Sequence, residues 1–296
     1  MWYRSVGGFI QRTLQAADET NVPFLANALT FDAALAAVPF FLLIVAGVTH
    51  FSRTAAVGAP SPLEWFLPPH NPVAGSDPFA TIELLLVKIG DVARGLSIYA
   101  VPAFIWFSTR LFSGIRTALN EIYDVSIRPS RTHFLVRYLF AKLRDLGMVV
   151  LTVLLFLANT TLSAGLGLIQ AYGQRWPQLE FFLTRLGRGL GEAFAFLFLI
   201  TLFFVLYNFA ALRRPPWRAT LVGSLFSAFL FEAAKRLFGL YIEQVFSHQR
   251  FTVDVNVAAV SLFVLWLYYS ALVFLLGGVV AETWELRELR RKQRVV

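Results

Sequence analysis

The sequence contains no cysteine and only four histidines among its 296 residues. Without cysteine the chain has no disulfide, no thiolate metal ligand and no cysteine nucleophile. The histidines are scattered along the chain, and none stands in a metal or acid–base spacing such as HExxH. We therefore predict no catalytic residue, no metal site and no cofactor, and we do not expect the protein to be an enzyme.

Charge is also scarce, at 15% of residues, whereas a soluble domain carries about 25%. Hydrophobic residues make up 57% of the chain, and the mean hydropathy is +0.63. These residues gather in long blocks and do not alternate as in half-buried strands. The composition predicts an all-α, polytopic membrane protein.

The long apolar blocks predict six transmembrane helices. A membrane-crossing helix needs about 20 mostly apolar residues, because the hydrocarbon core is about 30 Å thick. Six blocks meet this requirement: 24–50, 96–112, 146–169, 192–212, 219–245 and 256–281. The second block is short and contains Pro102, so we expect its helix to continue through the following GIRTALNEIY.

Amphipathic interfacial helices are predicted beside these spans. Segment 1–23 has apolar residues at helical spacing opposite polar ones, which is typical of a helix on the membrane surface. Asp77 followed by Pro78 indicates another helix start. We expect the helix that begins there to be interfacial or re-entrant, and not a seventh span. The predicted organisation is completed by a membrane domain over 24–283 and a basic cytoplasmic tail over 284–296.

Lys and Arg are distributed unevenly between the two sides of the membrane. If both termini lie inside, the inner segments carry more than twice as many of these residues as the outer ones. The positive-inside rule then predicts a multi-pass protein of the bacterial inner membrane with both termini in the cytoplasm.

Two basic clusters lie at predicted inner ends of spans. We expect both to contact anionic lipid head groups, and since no recognisable RNA-binding module accompanies them, we expect no nucleic-acid partner. Their members are Arg213, Arg214 and Arg218, and in the tail Arg290, Arg291 and Lys292.

Ionisable residues inside predicted spans are the main candidates for function. Charges in the bilayer usually face the bundle interior and pair. Asp32 lies about 15 Å along its helix from Val22, near the midplane, and Glu232 can reach Lys235 and Arg236 on one helix face. If the two helices are neighbours, Asp32 completes a charge-balanced cluster. A structural lock and a proton relay, ion site or substrate site all explain such a cluster.

Polar residues near mid-depth of the third span are further candidates for a substrate or ion path. They are Asn159, Thr160, Thr161 and Ser163. Tyr207 and Asn208 of the fourth span, with Tyr268, Tyr269 and Ser270 of the sixth, could extend the path. Such side chains also form hydrogen bonds between helices that pack closely. Both interpretations remain open from the sequence.

Three stretches together resemble the YihY/BrkB family of bacterial inner-membrane proteins. They are ALTFDAALAAVPFFLLIVAG, GIRTALNEIYDV, and the region from WRATLVGSLFSAFLFEAAKRLFGLYIE to SLFVLWLYYSALVFLLGG. The resemblance implies a six-helix membrane domain of unsettled role, with suggestions of transport and of bacterial surface resistance; some members have carried a ribonuclease label. Asp32 stands where the family usually has an aromatic residue, and Val279 replaces a usual acid.

Mid-membrane ionisable and polar residues on several helices favour a transporter or permease of an unidentified solute. The alternative is a non-transporting membrane protein that organises envelope lipids or partner proteins. Ribonuclease activity is not expected, because clustered histidines and carboxylates are missing. The expected partners are membrane lipids and a small solute, and a homo-oligomer is left open.

Overall fold

The computed structural model describes the backbone of residues 2–54, 78–125, 134–173, 177–247 and 255–293. These residues form seven α-helices and no strand, which confirms the all-α prediction. The helices are α1 (Trp2–Glu19), α2 (Val22–Thr54), α3 (Pro78–Ile122), α4 (Phe134–Gly173), α5 (Pro177–Phe209), α6 (Trp217–Ser247) and α7 (Val255–Gln293).

The chain divides into two compact units. The larger unit comprises residues 1–31 and 109–296, and in it α4 packs on α5, α5 on α6, α6 on α7, and α1 on α7. The smaller unit comprises residues 32–108. Within it Phe40 of α2 stacks on Phe104 of α3, with ring centroids 5.7 Å apart.

Helix α3 is continuous over 45 residues from Pro78 to Ile122. Its start at Pro78 and its extension through GIRTALNEIY are confirmed. The segment before the second span is not a separate helix, and its interfacial or re-entrant placement stays a prediction. Neither glycine in this stretch, Gly90 or Gly95, breaks the helix, because one internal glycine costs only about 1 kcal/mol. Pro102 also lies inside the helix.

The end of α3 is fixed by a backbone turn at Asp124. This residue has a φ of 44°, a left-handed conformation that Asp tolerates better than most residues. The Val125 N–H donates to the Asn120 carbonyl at 3.0 Å, as in a six-to-one helix cap. The preceding Tyr123 is thereby buried in the larger unit.

Helix α7 extends through most of the predicted basic tail, to Gln293. The tail is rich in strong helix formers, and Glu288 pairs with Lys292 one turn later at 3.5 Å. Helix α1 packs on this end of α7, where Phe9 meets Trp284 edge-to-face with ring centroids 6.1 Å apart. The predicted N-terminal helix is present, and its position on the membrane surface stays a prediction.

Two helical segments of the described chain are long and apolar enough to cross a bilayer. They are Val22–Ile44, with mean hydropathy 1.8, and Val260–Arg290, with mean hydropathy 2.1. A third apolar stretch, Ala193–Phe209, is shorter. These segments coincide with the first, sixth and fourth predicted spans.

Candidate functional site

Buried charges collect where the end of α3 meets the start of α4. The Arg116 guanidinium donates to the Asp145 carboxylate at 2.9 Å, and the two side chains are only 13% and 4% exposed. Arg116 also donates to Ser113 Oγ at 3.2 Å and to the Ala141 carbonyl at 3.4 Å. Burial raises the pKa of Asp145, and the positive charge of Arg116 opposes that rise.

The same end of the bundle holds the α5–α6 turn in place. Arg144 of α4 donates to the carbonyls of Phe209 at 2.6 Å and Ala210 at 2.8 Å, and also to that of Ala211. A cation suits these carbonyls, because the last carbonyls of a helix have no partner inside it and carry partial negative charge. From α3, the Asn120 side chain accepts the Leu212 N–H at 2.9 Å.

A second group of charges joins the α5–α6 turn to α7. Arg213 donates to the Glu285 carboxylate. Nearby, Tyr123 is 2% exposed, and its hydroxyl has no hydrogen-bond partner among the described residues. Burial raises the pKa of Tyr123, and the negative charges of Glu282 and Glu285 add to that rise. We call Arg116, Asp145, Arg144, Tyr123, Arg213 and Glu285 the end cluster.

Deeper in the bundle, a buried hydroxyl joins three helices. Tyr207 of α5 is fully buried, and its hydroxyl donates to the Phe274 carbonyl of α7 at 2.5 Å. The same hydroxyl lies 2.7 Å from Ser227 Oγ of α6, which is 3.3 Å from the Val273 carbonyl. Ser227 lies about 15 Å along α6 from Trp217, near mid-membrane depth if α6 crosses the bilayer.

Helices α6 and α7 approach so closely here that two glycines are required. A Cβ atom on Gly277 would overlap with Ser227 Oγ and the Tyr207 hydroxyl. A Cβ atom on Gly223 would lie 2.5 Å from the Gly277 carbonyl and 2.8 Å from the Ala281 side chain. Small residues at such crossings allow backbones of membrane helices to meet.

One face of α6 carries a line of buried hydroxyls between the Tyr207 contact and the α5–α6 turn. Thr220, Ser224 and Ser227 are all fully buried. Ser224 Oγ donates to a carbonyl of its own helix, at 2.9 Å from Thr220 or 3.0 Å from Leu221. We call Thr220, Ser224, Ser227 and Tyr207 the hydroxyl row.

Tyr207→Phe is expected to lower the free energy of unfolding by about 1 to 2 kcal/mol. The change removes the buried hydroxyl that donates to the Phe274 carbonyl, so this carbonyl loses that hydrogen bond. Tyr99→Phe, the same change at an exposed position of α3, serves as the matched control. Unfolding in detergent measures both, and equal effects would contradict a special contribution from Tyr207.

The predicted charge cluster of the fifth span forms within α6. Glu232 pairs with Lys235 at 2.6 Å and with Arg236 at 3.4 Å. The side chains of Lys235 and Arg236 are 53% and 72% exposed. Glu232 thus pairs both cations along one surface of α6, and the expectation that these charges face a bundle interior stays a prediction.

The other mid-membrane candidates have separate surroundings. Asp32 is half-buried on α2 in the smaller unit, and its pairing with the α6 charges stays a prediction. Asn159 is half-buried on α4. The exposed Thr161 donates to the Ala158 carbonyl of its own helix at 3.0 Å. The side chain of Thr160 lies outside the described residues.

Four residues of the two predicted lipid-contact clusters have defined contacts. Arg213 belongs to the end cluster, and Arg214 lies over the Phe209 ring at 5.7 Å. Arg218 lies over the Trp217 ring at 5.4 Å. In the tail, Lys292 pairs with Glu288. The remaining tail members are Arg290, which is exposed, and Arg291, whose side chain lies outside the described residues.

Sequence reasoning missed the Arg116–Asp145 pair, and assigned Arg144 and Arg213 only to topology or lipid contact. The end cluster is assembled from segments far apart in the chain, so periodicity within one helix could not reveal it. One signal was present. Asp145 is the only acid in the basic stretch 128–145, directly before an apolar block. An isolated acid at the end of a span is a candidate for a buried ion pair.

Comparison with known proteins is consistent with this architecture. A family model described as Virulence factor BrkB matches residues 13–295. A UPF0761 membrane protein of Ralstonia nicotianae is 29% identical over 276 residues, covering 91% of this chain and 57% of the relative. Another, from Paraburkholderia xenovorans, is 26% identical over 273 residues, covering 92% of this chain and 58% of the relative.

The chain thus spans less than two thirds of the length of these relatives. No solved structure matches it. The family match covers nearly the whole chain, including every residue of the end cluster and the hydroxyl row. The chain therefore belongs to the BrkB family of membrane proteins.

Proposed function

We propose that this protein is a six-span transporter of the bacterial inner membrane, with both termini in the cytoplasm. The observation that carries the proposal is the hydroxyl row, which lies buried between the α5–α6 turn and mid-depth of α6. Polar groups along a helix interior are what a path for a proton or small polar solute requires.

The end cluster supports the cytoplasmic assignment of this end of the bundle. Its arginines, Arg116, Arg144 and Arg213, lie at helix ends or beside the turn that the positive-inside rule assigns to the cytoplasm. A path entering here would pass charged groups before it reached the hydroxyls. Such an arrangement favours an ionic or strongly polar solute.

Tyr123 adds to the argument for a hydrated entrance. A buried hydroxyl without a protein partner commonly binds an ordered water molecule. Thr283, another buried hydroxyl on α7, lies one residue after Glu282, which is half-buried. We infer that water reaches the bundle between the ends of α3 and α7.

Reaction of introduced cysteines tests the path. Ser227→Cys is expected to react with a small, charged, water-soluble thiol reagent added from the cytoplasmic side of inverted vesicles. Ala228→Cys, at the next and equally buried position, is the control and should stay unreactive. The absence of native cysteine makes the signal unambiguous. Failure of Ser227→Cys to react in inserted protein would contradict a water-accessible row.

Transport itself is tested by comparing small molecules inside and outside cells that make wild-type protein or a variant. The variants are Tyr207→Phe and Asp32→Asn, matched in amount and membrane insertion, with Tyr99→Phe, at an exposed position of α3, as control. We expect one solute class to redistribute with wild type and the control and less with the two variants. No redistribution under several envelope stresses would favour a non-transporting protein that organises lipids or partners.

A further inference from the structure

A cavity of about 420 Å³ opens between the first turns of α6 and the end of α7. Its size falls in the range of small-molecule sites, about 300 to 1,000 Å³. Trp217 and Trp284 form part of its wall, and Leu221 and Val222 line it one turn further along α6. The cavity thus combines aromatic rings typical of the membrane interface with an apolar part beside them.

Two arginines line the same cavity, Arg218 from α6 and Arg287 from α7. Arg218 lies over the Trp217 ring at 5.4 Å, and Arg287 lies over the Phe9 ring of α1 at 5.8 Å. Neither guanidinium has an ion pair with a described residue. Attraction to a ring face leaves the N–H donors of a guanidinium available, so both arginines can bind an anion.

The charge balance of the cavity is positive. Glu288 is its one acidic lining residue, and this carboxylate is paired with Lys292 at 3.5 Å. The lining therefore carries two arginines and one carboxylate, and that carboxylate already has a cationic partner, Lys292, outside the lining. Arginine is well suited to phosphate, since its planar fork can donate two parallel hydrogen bonds.

We propose that this cavity binds one anionic phospholipid, with its phosphate between Arg218 and Arg287 and an acyl chain along Leu221 and Val222. The head group then lies between the two tryptophans, at the depth where such rings normally sit in a bilayer. If both termini lie in the cytoplasm, as proposed above, this lipid belongs to the cytoplasmic leaflet. Lipid binding by purified protein depends on neither the orientation nor transport.

Native mass spectrometry of the full chain in detergent tests the proposal, with phosphatidylglycerol and phosphatidylcholine offered at equal concentration. We expect one phosphatidylglycerol to be retained in preference to phosphatidylcholine. The double variant Arg218→Gln/Arg287→Gln should bind phosphatidylglycerol about 30-fold more weakly, from the typical contribution of two surface cations. The double variant Arg214→Gln/Arg290→Gln, an equal charge change at two exposed positions outside the cavity lining, should keep wild-type binding.

A second variant separates lipid binding from folding. Arg218→Lys/Arg287→Lys keeps both charges but loses the planar fork, so it should retain a preference for phosphatidylglycerol with reduced affinity. Equal binding of the two lipids by wild type would overturn the proposal. So would an equal loss in Arg214→Gln/Arg290→Gln, or unchanged binding in Arg218→Gln/Arg287→Gln, because each would indicate general attraction to a positively charged surface.

Discussion

Gly277→Ala is expected to lower the free energy of unfolding by about 2 to 4 kcal/mol, and to reduce the amount of folded protein recovered from membranes. The added methyl group would overlap with Ser227 Oγ and the Tyr207 hydroxyl. Relief requires α6 and α7 to separate or the Tyr207 hydrogen bonds to break, and overpacking and hydrogen-bond loss both destabilise. Reversible unfolding in mixed detergent measures the effect.

Gly239→Ala is the matched control for this prediction. It is the same chemical change in α6, but nothing lies within 4 Å of the added methyl group. Its effect should be near zero or stabilising by up to about 1 kcal/mol, because alanine favours helix more than glycine does. If Gly277→Ala is as stable as Gly239→Ala, helices α6 and α7 are not so close that a methyl group on Gly277 overlaps with Ser227 and Tyr207.

A partner substitution can show that the crowding is local. Ser227→Ala removes one of the two hydroxyls that the Gly277→Ala methyl group would meet. We therefore expect the combined variant to be more stable than the sum of the separate effects predicts. If the two changes in the free energy of unfolding add strictly, the contact with Ser227 is not what destabilises Gly277→Ala.

Arg116→Met is expected to destabilise the protein by about 3 kcal/mol. The change leaves Asp145, whose side chain is 4% exposed, as a buried carboxylate without its main counter-charge. Breaking such a pair costs more than the intact pair contributes, because the remaining charge is desolvated. Replacing both partners, as Arg116→Met/Asp145→Leu, should therefore be less harmful than Arg116→Met alone.

This effect should depend on pH in a defined direction. Burial already raises the pKa of Asp145 against the influence of Arg116, so removal of Arg116 raises that pKa further. The folded variant then binds a proton at pH values where the unfolded chain, with a pKa of about 3.9, has lost it. Its stability is greatest at low pH and falls as pH rises through the folded pKa.

Unfolding measured from about pH 4, near the unfolded pKa, upward tests this dependence. The deficit of Arg116→Met relative to wild type should be smaller at the acid end of the series than at the alkaline end. The control is Lys292→Met, which breaks the exposed Glu288 pair in the tail and should change stability by less than about 1 kcal/mol at every pH. A deficit that is constant with pH would mean that Asp145 is not the group responsible.

Gly277 and the Arg116–Asp145 ion pair both connect the stability of the fold with the proposed function. Gly277 sets the distance at which Tyr207 and Ser227 meet, so crowding there should also disturb the path that we propose along the hydroxyl row. Arg116 and Asp145 instead hold the entrance end of the bundle. Variants at Gly277 and variants at Arg116 or Asp145 should therefore differ in the amount of solute moved, when they are compared at equal amounts of inserted protein.

Some features of the protein follow from its sequence alone. The absence of strands in the described residues follows from long apolar blocks without alternation. The Glu232 pairs with Lys235 and Arg236 were predictable, because residues three and four apart share a helix face. The family was recognisable because its motifs are contiguous in the chain. Each of these properties depends on residues close together in the sequence.

Helix ends were less predictable than helix presence. The continuity of α3 and the extension of α7 to Gln293 depend on weak local preferences that packing can override. Helix α3 continues through the glycines at positions 90 and 95, whereas Asp124 ends it where glycine is more usual. One or two kcal/mol of local preference decides such boundaries, and tertiary contacts supply energies of the same size.

The sequence by itself determined that this protein is helical, apolar, free of thiol chemistry and a member of its family, because composition and local spacing carry that information. Only the tertiary structure decided which polar groups are buried together. Arg116 meets Asp145 across 29 positions, and Tyr207 meets Phe274 across 67. Such contacts form because helices distant in the chain pack face to face, and the desolvation of a side chain depends on which neighbour covers it.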